Sequence, residues 1–362
     1  HNRLKKHTLG LAAALLVTAG MSQIALAGDS VYVNTSSLRY RTSAQIKDNN
    51  IAGNLSYGQK LERVGTSGQW TMILLNGKKY YVSSAYVTSK KPASAGAVQT
   101  TSQTAAGAQT SGGTAIALSS NYKYANYSKI NSGTATLYRS TASNKKNKVV
   151  CVNAGHGTNG GGSVKTQCHP DGSAKVTGGT TGAGATSAVA VSSGMTFADG
   201  TAESKVTLAM AKVLKTKLLN AGYDVLMIRE SDDVQLDNIA RTVIANNNAD
   251  CHIALHWDST SSNKGAFFMS VPSNATYRAM EPVASHWKQH NQLGESLISG
   301  LKSAGVKIYS KGSMEMDLTQ TSYSTIPSVD IELGDKASDH SGATLETLAN
   351  GLLAGVNTFF GQ

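Results

Sequence analysis

Apolar residues are spaced in two different rhythms along this chain. Between Val31 and Val87 they fall in short alternating runs: Val31 to Val33, Lys60 to Val64, Trp70 to Leu75 and Lys79 to Val82. Alternation with period two marks half-buried strands, and Asn76-Gly77 between the last two runs marks a hairpin. Segments punctuated this way predict a small all-β barrel at the N-terminus, with Trp70 filling its interior in preference to stacking on a ligand. From Lys148 onward, short apolar runs alternate with stretches of helical spacing. Val149 to Val152, Asp224 to Ile228, His252 to Leu255, Ala266 to Val271 and Ser328 to Leu333 read as strands. Ser204 to Asn220 sets Val206, Met210, Val213, Leu214 and Leu218 on one helical face, while Leu236 to Asn247, Pro282 to Ser303 and a closing stretch from Ala343 read as further helices. Such alternation predicts an α/β domain with a mostly parallel sheet flanked by helices.

Between the two rhythms, Thr88 to Ser119 is rich in Ala, Thr, Gly, Ser and Gln and nearly lacks large apolar residues, the composition of a flexible linker. Residues 120–147, with Tyr122, Tyr124, Tyr127 and Tyr138, read either as a lead-in packed on the next domain or as an extension of the linker. Arg3, Lys5 and Lys6 precede an apolar stretch from Leu9 to Gly20, and Ala25-Leu26-Ala27 supplies a small-residue cleavage pattern. Residues 1–27 are therefore expected to be a signal peptide on a secreted protein, with no integral membrane segment after its removal. The expected organisation is 1–27 signal, 28–90 β domain, 91–147 linker and lead-in, and 148–362 α/β domain.

Charge divides the chain at the same place. Residues 28–147 carry 14 Lys or Arg against 3 Asp or Glu, and residues 148–362 carry 16 against 19. A basic excess confined to the first part favours polyanionic partners, such as the teichoic acids of a cell wall, anionic lipid heads or nucleic acid, or else serves solubility alone. Cys151, Cys168 and Cys251 are too few for a disulfide scaffold; the first and last lie in neighbouring strands, where buried thiols or a bridge are both open. Cys168-His169 is a weak candidate for an extra metal-binding pair.

Four short patches carry the candidate chemistry. His156 follows the first strand, His256 ends a strand, Glu332 lies late in the last strand and Glu203 opens a helix. In parallel sheets, ligands gather at the carboxyl ends of strands, so these four side chains can converge. Two histidines, one carboxylate and a spare carboxylate suffice for a hydrolytic zinc site: Zn²⁺ there takes three protein ligands and keeps a position for water, and the spare carboxylate can move protons. Asp199 is the alternative to Glu203. Ser259 and Ser322 have no base partner in the sequence, which leaves no case for a Ser-His nucleophile.

The patches Val152 to Gly157, Ala202-Glu203, Arg241 with Ala245-Asn246, Ala249 to His256, and Pro327 to Gly334 resemble the zinc-dependent N-acetylmuramoyl-L-alanine amidases of the amidase-3 type. That resemblance implies cleavage of the amide between N-acetylmuramic acid and the L-alanine of the stem peptide, with His156, Glu203 and His256 as metal ligands and Glu332 as the catalytic carboxylate. Leu38 to Arg41, Gly53, Tyr57-Gly58, Trp70 and Tyr81 to Val87 resemble bacterial SH3-like (SH3b) domains, which implies wall targeting. The expected partners are peptidoglycan and anionic wall polymers, with no nucleic acid, and the expected location is the cell wall. A non-catalytic wall-binding protein with a degenerate metal site, and a zinc peptidase cutting another stem-peptide bond, remain as alternatives. The chain departs from the family in a long insertion, Thr158 to Gly200, with ten glycines and no helical stretch. It is expected at the mouth of the groove, as a cleft wall, a movable lid or a surface loop.

Overall fold

The computed structural model describes residues 29–34, 37–56, 58–91 and 112–362. The expected signal peptide, Tyr57 and linker residues 92–111 lie outside the described residues. The first part contains β1 (Asp29–Val33), β2 (Ser37–Arg41), β3 (Ile51–Ser56), β4 (Lys60–Ser67), β5 (Trp70–Leu75), β6 (Lys78–Ser83) and β7 (Val87–Thr88). They form an antiparallel sheet in the order β3-β2-β6-β5-β4-β1-β7. Asn76 and Gly77 both take left-handed φ angles, as the expected two-residue hairpin requires. The core is aliphatic: Val31, Val33, Leu38, Leu55, Leu61, Ile73 and Val82. Trp70 is not part of it. The tryptophan is half-buried and lines a crevice with Tyr86, Asn121 and Tyr122, at the contact with the second part of the chain.

The second part begins earlier than the sequence suggested. β8 (Thr114–Ala117) and β9 (Thr134–Tyr138), both inside the stretch read as linker and lead-in, join β10 (Val149–Ala154) and later strands in one eight-stranded sheet. After a hairpin of β11 (Lys165–Gln167) and β12 (Ser187–Val189) come α1 (Glu203–Asn220), β13 (Asp224–Met227), α2 (Asn238–Asn248), β14 (Cys251–Asp258) and β15 (Ala266–Ser270). The chain closes with α3 (Ala275–Ala279), α4 (Val283–Ser303), β16 (Ile308–Glu315), α5 (Thr319–Tyr323), β17 (Ser328–Asp335) and α6 (Gly342–Phe360). The sheet order is β16-β15-β17-β14-β10-β13-β9-β8.

This sheet is mixed rather than mostly parallel. Its centre, β13-β10-β14-β17, is parallel, whereas β15 runs antiparallel to β17 and β9 antiparallel to β13. Loop length explains one reversal: only residues 259–265 join β14 to β15, too few for the crossover that a parallel connection needs.

Helices cover both faces. On one, Val206, Met210 and Leu214 of α1, Leu297 of α4 and Leu352 of α6 pack on Val150, Val152, Cys251 and Ile253. Each such fully buried side chain contributes about 1.5–3 kcal/mol by leaving water. On the other, Ala240 and Ile244 of α2 pack on Val149, Cys151 and Leu226. Cys151 and Cys251 therefore face opposite sides of the sheet, and all three cysteines are buried free thiols.

One carboxylate fixes the lead-in. Asp237 caps α2 through the Ala240 amide (2.8 Å) and accepts from the Ser128 hydroxyl (3.0 Å) and the Lys129 and Ile130 amides (2.6 and 2.9 Å), while fully buried. Tyr122 and Ala125 then pack on Ile239 and Val243 of α2, and Tyr122 stacks on Tyr86 of the first part at 5.6 Å. Asp237→Ala leaves buried amides without acceptors, and the expected loss is at least about 2 kcal/mol in urea unfolding. An unchanged midpoint would contradict this role.

Candidate metal centre

Three of the expected ligands meet at the carboxyl edge of the central strands. His156 follows β10 in a left-handed turn (φ 65°), Glu203 is in the first turn of α1, and His256 lies in β14. His156 Nε2 is 2.9 Å from Glu203 Oε1, His256 Nδ1 is 3.2 Å from the same oxygen, and the two ring nitrogens are 3.1 Å apart. All three residues are buried or nearly so. Asp199, the alternative ligand, is elsewhere: it is exposed and pairs with His340 at 2.8 Å.

The hydrogen positions make this convergence unusual. His156 Nδ1 lies 2.7 Å from the Ser192 carbonyl, which can only accept, so Nδ1 carries a hydrogen and, in the neutral ring, Nε2 is the lone pair left for a metal. His256 Nε2 lies 3.3 Å from Asp330 Oδ2, an ion pair that favours a hydrogen on Nε2; displacing the ring's second proton frees Nδ1 for a metal. Glu203 Oε1 adds a third lone pair, already accepting from the Trp257 amide at 3.1 Å. Three lone pairs facing one another repel unless a cation or proton stands between them. The donor set, two imidazoles and one carboxylate, fits a divalent ion such as zinc.

The electrostatics report the same surplus of negative charge. Burial opposes a charged His256 ring, yet the carboxylates of Asp330, Glu203 and Glu332 outweigh it and push its pKa up to about 10. Burial likewise disfavours ionised Glu203, but hydrogen bonds and charge from His156 and His256 hold its carboxyl well below the usual range. Glu332, beside His256 in the β14–β17 register, moves the opposite way: burial and then Asp330 raise its pKa well above the ordinary value. Its Oε2 is buried and has no hydrogen-bond partner, as is Asp330 Oδ1. Asp330 and Glu332 are two apart in one strand and share a face.

Two buried arginines build the turn that presents His156. Arg229 donates to the carbonyls of Ala154 (3.0 Å) and Gly155 (2.9 Å), and Arg241 to that of His156 (2.8 Å) and to Asn153 Oδ1 (3.1 Å). Burial lowers their pKa to about 10 and about 9, so both stay charged at neutral pH. Their role is invisible in sequence, because Arg229 is 73 positions from His156 and lies in no periodic pattern. Asp330 was legible in principle, since the period-two rule puts it on the same face as Glu332.

The 158–200 insertion is ordered and forms a wall of the cleft. A cleft of about 440 Å³ opens over the three ligands, lined by Thr180, Val189 and Ser192 of the insertion and by Asp258, Met269 and Met316 across from them. Asp317, buried, is the insertion's anchor. It accepts from His169 Nε2 (2.8 Å), the Val176 and Thr177 amides (2.9 and 3.0 Å) and the Thr177 hydroxyl, while Lys175 pairs with it at 3.4 Å. Cys168-His169 is thus no metal pair: the thiol is buried and the ring serves Asp317. Ser322, buried, bonds Tyr277 and the Leu318 carbonyl; Ser259 is on the cleft rim.

Residues 150–349, 200 of the 362, match the Amidase_3 family, described as N-acetylmuramoyl-L-alanine amidase. The chain belongs to this family. No curated protein matches it. Among solved structures, it is similar to an N-acetylmuramyl-L-alanine amidase from Mycobacterium smegmatis, at 17% identity and a TM-score of 0.48 over 61% of this chain and 99% of the other. It is also similar to amidases from Clostridium difficile 630 (16%, 0.42, over 59% and 97%) and Nostoc punctiforme (15%, 0.42, over 60% and 100%). The Amidase_3 match covers both histidines, both arginines, Glu203, Asp330 and Glu332.

Asp317 gives the site a testable stability signature. Burial disfavours its charge, but His169, Thr177, the Val176 amide and Lys175 outweigh that and hold its carboxyl below the model-compound value of 3.8. A depressed carboxyl stabilises the fold above the unfolded pKa and loses that contribution as pH falls through the folded one. Asp317→Ala is expected to cost about 3–5 kcal/mol at pH 7 by urea unfolding, to expose residues 158–200 to proteolysis, and to differ less from the unaltered chain below pH about 4. Equal unfolding midpoints at pH 7 would refute the anchor.

Proposed function

We propose that this chain is a zinc-dependent peptidoglycan hydrolase cleaving the amide between N-acetylmuramic acid and the L-alanine of the stem peptide. The observation that carries the reading is the convergence of two imidazole nitrogens and one carboxylate oxygen within 3.2 Å of one another, beside a buried, unpartnered carboxylate oxygen. His156 Nε2, Glu203 Oε1 and His256 Nδ1 would hold the ion. When bound, zinc would supply Lewis acidity to the amide carbonyl and acidify water at neutral pH.

The remaining chemistry belongs to side chains. Glu332 lines the cleft, and its carboxyl is the group to take a proton from water and deliver it to the departing L-alanine nitrogen, which leaves poorly as an anion. Its raised pKa suits a carboxyl that must both accept and give a proton. Asp330 Oδ2, 3.3 Å from His256 Nε2, would favour the hydrogen on that nitrogen and so leave Nδ1 for the metal. The insertion and β15 walls hold the substrate in the cleft.

The N-terminal sheet we read as an SH3-like wall-binding module. Its basic excess would draw it to anionic wall polymers, and the signal-like residues 1–27 would place the enzyme in the wall.

Digestion of purified peptidoglycan followed by mass spectrometry tests the reaction: new free L-alanine amino ends and intact lactyl-muramic acid are expected, and any other new end rejects it. Glu332→Gln is expected to keep one zinc per chain and to lose hydrolysis by about 100-fold or more. Unchanged turnover in that variant would remove the proton role.

A further inference from the structure

The return leg of the insertion, Ser192 to Met195, touches both flanking ligands. The Ser192 carbonyl accepts from His156 Nδ1 at 2.7 Å, and the Met195 amide donates to Glu203 Oε2 at 2.9 Å. The Met195 carbonyl in turn accepts from the Glu203 amide at 2.9 Å, which fixes the start of α1. Between them Gly194 has φ +84°, and a Cβ there would lie 2.8 Å from His156 Cδ2 and 2.9 Å from Glu203 Oε2. Backbone closes over these two ligands so tightly that no side chain fits. The Ser192 hydroxyl, accepting from the Gly194 amide at 3.1 Å, holds the turn in this shape.

We propose that Ser192–Met195 is a positioning clamp for the metal, which makes the glycine-rich insertion a determinant of metal affinity as well as a cleft wall. One carbonyl selects the His156 tautomer that offers Nε2, and one amide occupies Glu203 Oε2, so that Oε1 is the oxygen turned inward. A ligand fixed in advance by its outer partners loses less freedom on binding, and removing such partners commonly costs about 10–100-fold in metal affinity. Asp317 secures the far end of the same insertion, so the clamp cannot drift from the body. This inference rests on the metal reading above.

Two glycines of the insertion separate the clamp from mere backbone strain. Gly184 has φ +87°, nearly that of Gly194, but a Cβ there meets nothing within 4 Å, and it lies outside the cleft lining. Gly184→Ala and Gly194→Ala thus carry the same left-handed penalty, and only the second pushes on the ligands. Zinc affinity by chelator competition on the full chain is expected to fall about 10–100-fold in Gly194→Ala and to stay unchanged in Gly184→Ala. Equal affinity in the two variants would overturn the clamp. Hydrogen exchange on the unaltered chain gives a second reading that needs no variant: zinc is expected to slow exchange of the Met195 and Glu203 amides, and no change there overturns the proposal. Failure of the unaltered chain to take up zinc removes the metal reading itself, and is distinguished from failure of the clamp, in which zinc binds but Gly194→Ala binds it as tightly.

Discussion

The meeting of two imidazoles and a carboxylate at one point is the constraint around which the second part of the molecule is organised. His156 Nε2, His256 Nδ1 and Glu203 Oε1 are held within 3.2 Å of one another, close enough to share one proton or one cation. Each is forced by a partner behind it: Ser192 behind His156, Met195 and Trp257 behind Glu203, Asp330 behind His256. Behind those stand Arg229 and Arg241, which gather the carbonyls of residues 154–156 into the turn that projects His156. Two charged guanidiniums in the interior are costly, and spending them on three successive carbonyls shows how much of the fold serves one turn.

Elements that carry their own period were legible in the sequence. α1, α2, α4 and α6 fell close to their expected limits, as did β10, β14 and β17, because a buried face repeats every few residues. The meeting of the four candidate residues was legible for a related reason: strand ends bring distant positions to one edge. What stayed hidden is what depends on partners far away in sequence. β8 and β9 lie in a stretch whose composition suggests a linker, yet Asp237, more than 90 positions downstream, fixes the lead-in between them. The antiparallel edges likewise depended on loop length and neighbour order, which no local pattern encodes. Trp70 misled because the largest apolar residue of a small β unit is usually its core, whereas here aliphatic residues fill the interior and the indole lines the seam with the second part.

The insertion shows the limit most clearly. Ten glycines and no helical period describe equally a floppy loop and a tightly folded one, since glycine serves both freedom and close approach. The distinction lies in the bonds that Asp317 collects and in the contact of Gly194 with two ligands, neither of which has a sequence signature. The segment read as an insertion thereby lies directly against His156 and Glu203.

X-ray absorption at the zinc edge of the loaded, full chain tests the central claim most directly. The account predicts a light-atom first shell at about 2.0–2.1 Å with outer scattering from two imidazoles and no sulfur. A sulfur shell, or fewer than two imidazoles, would contradict it.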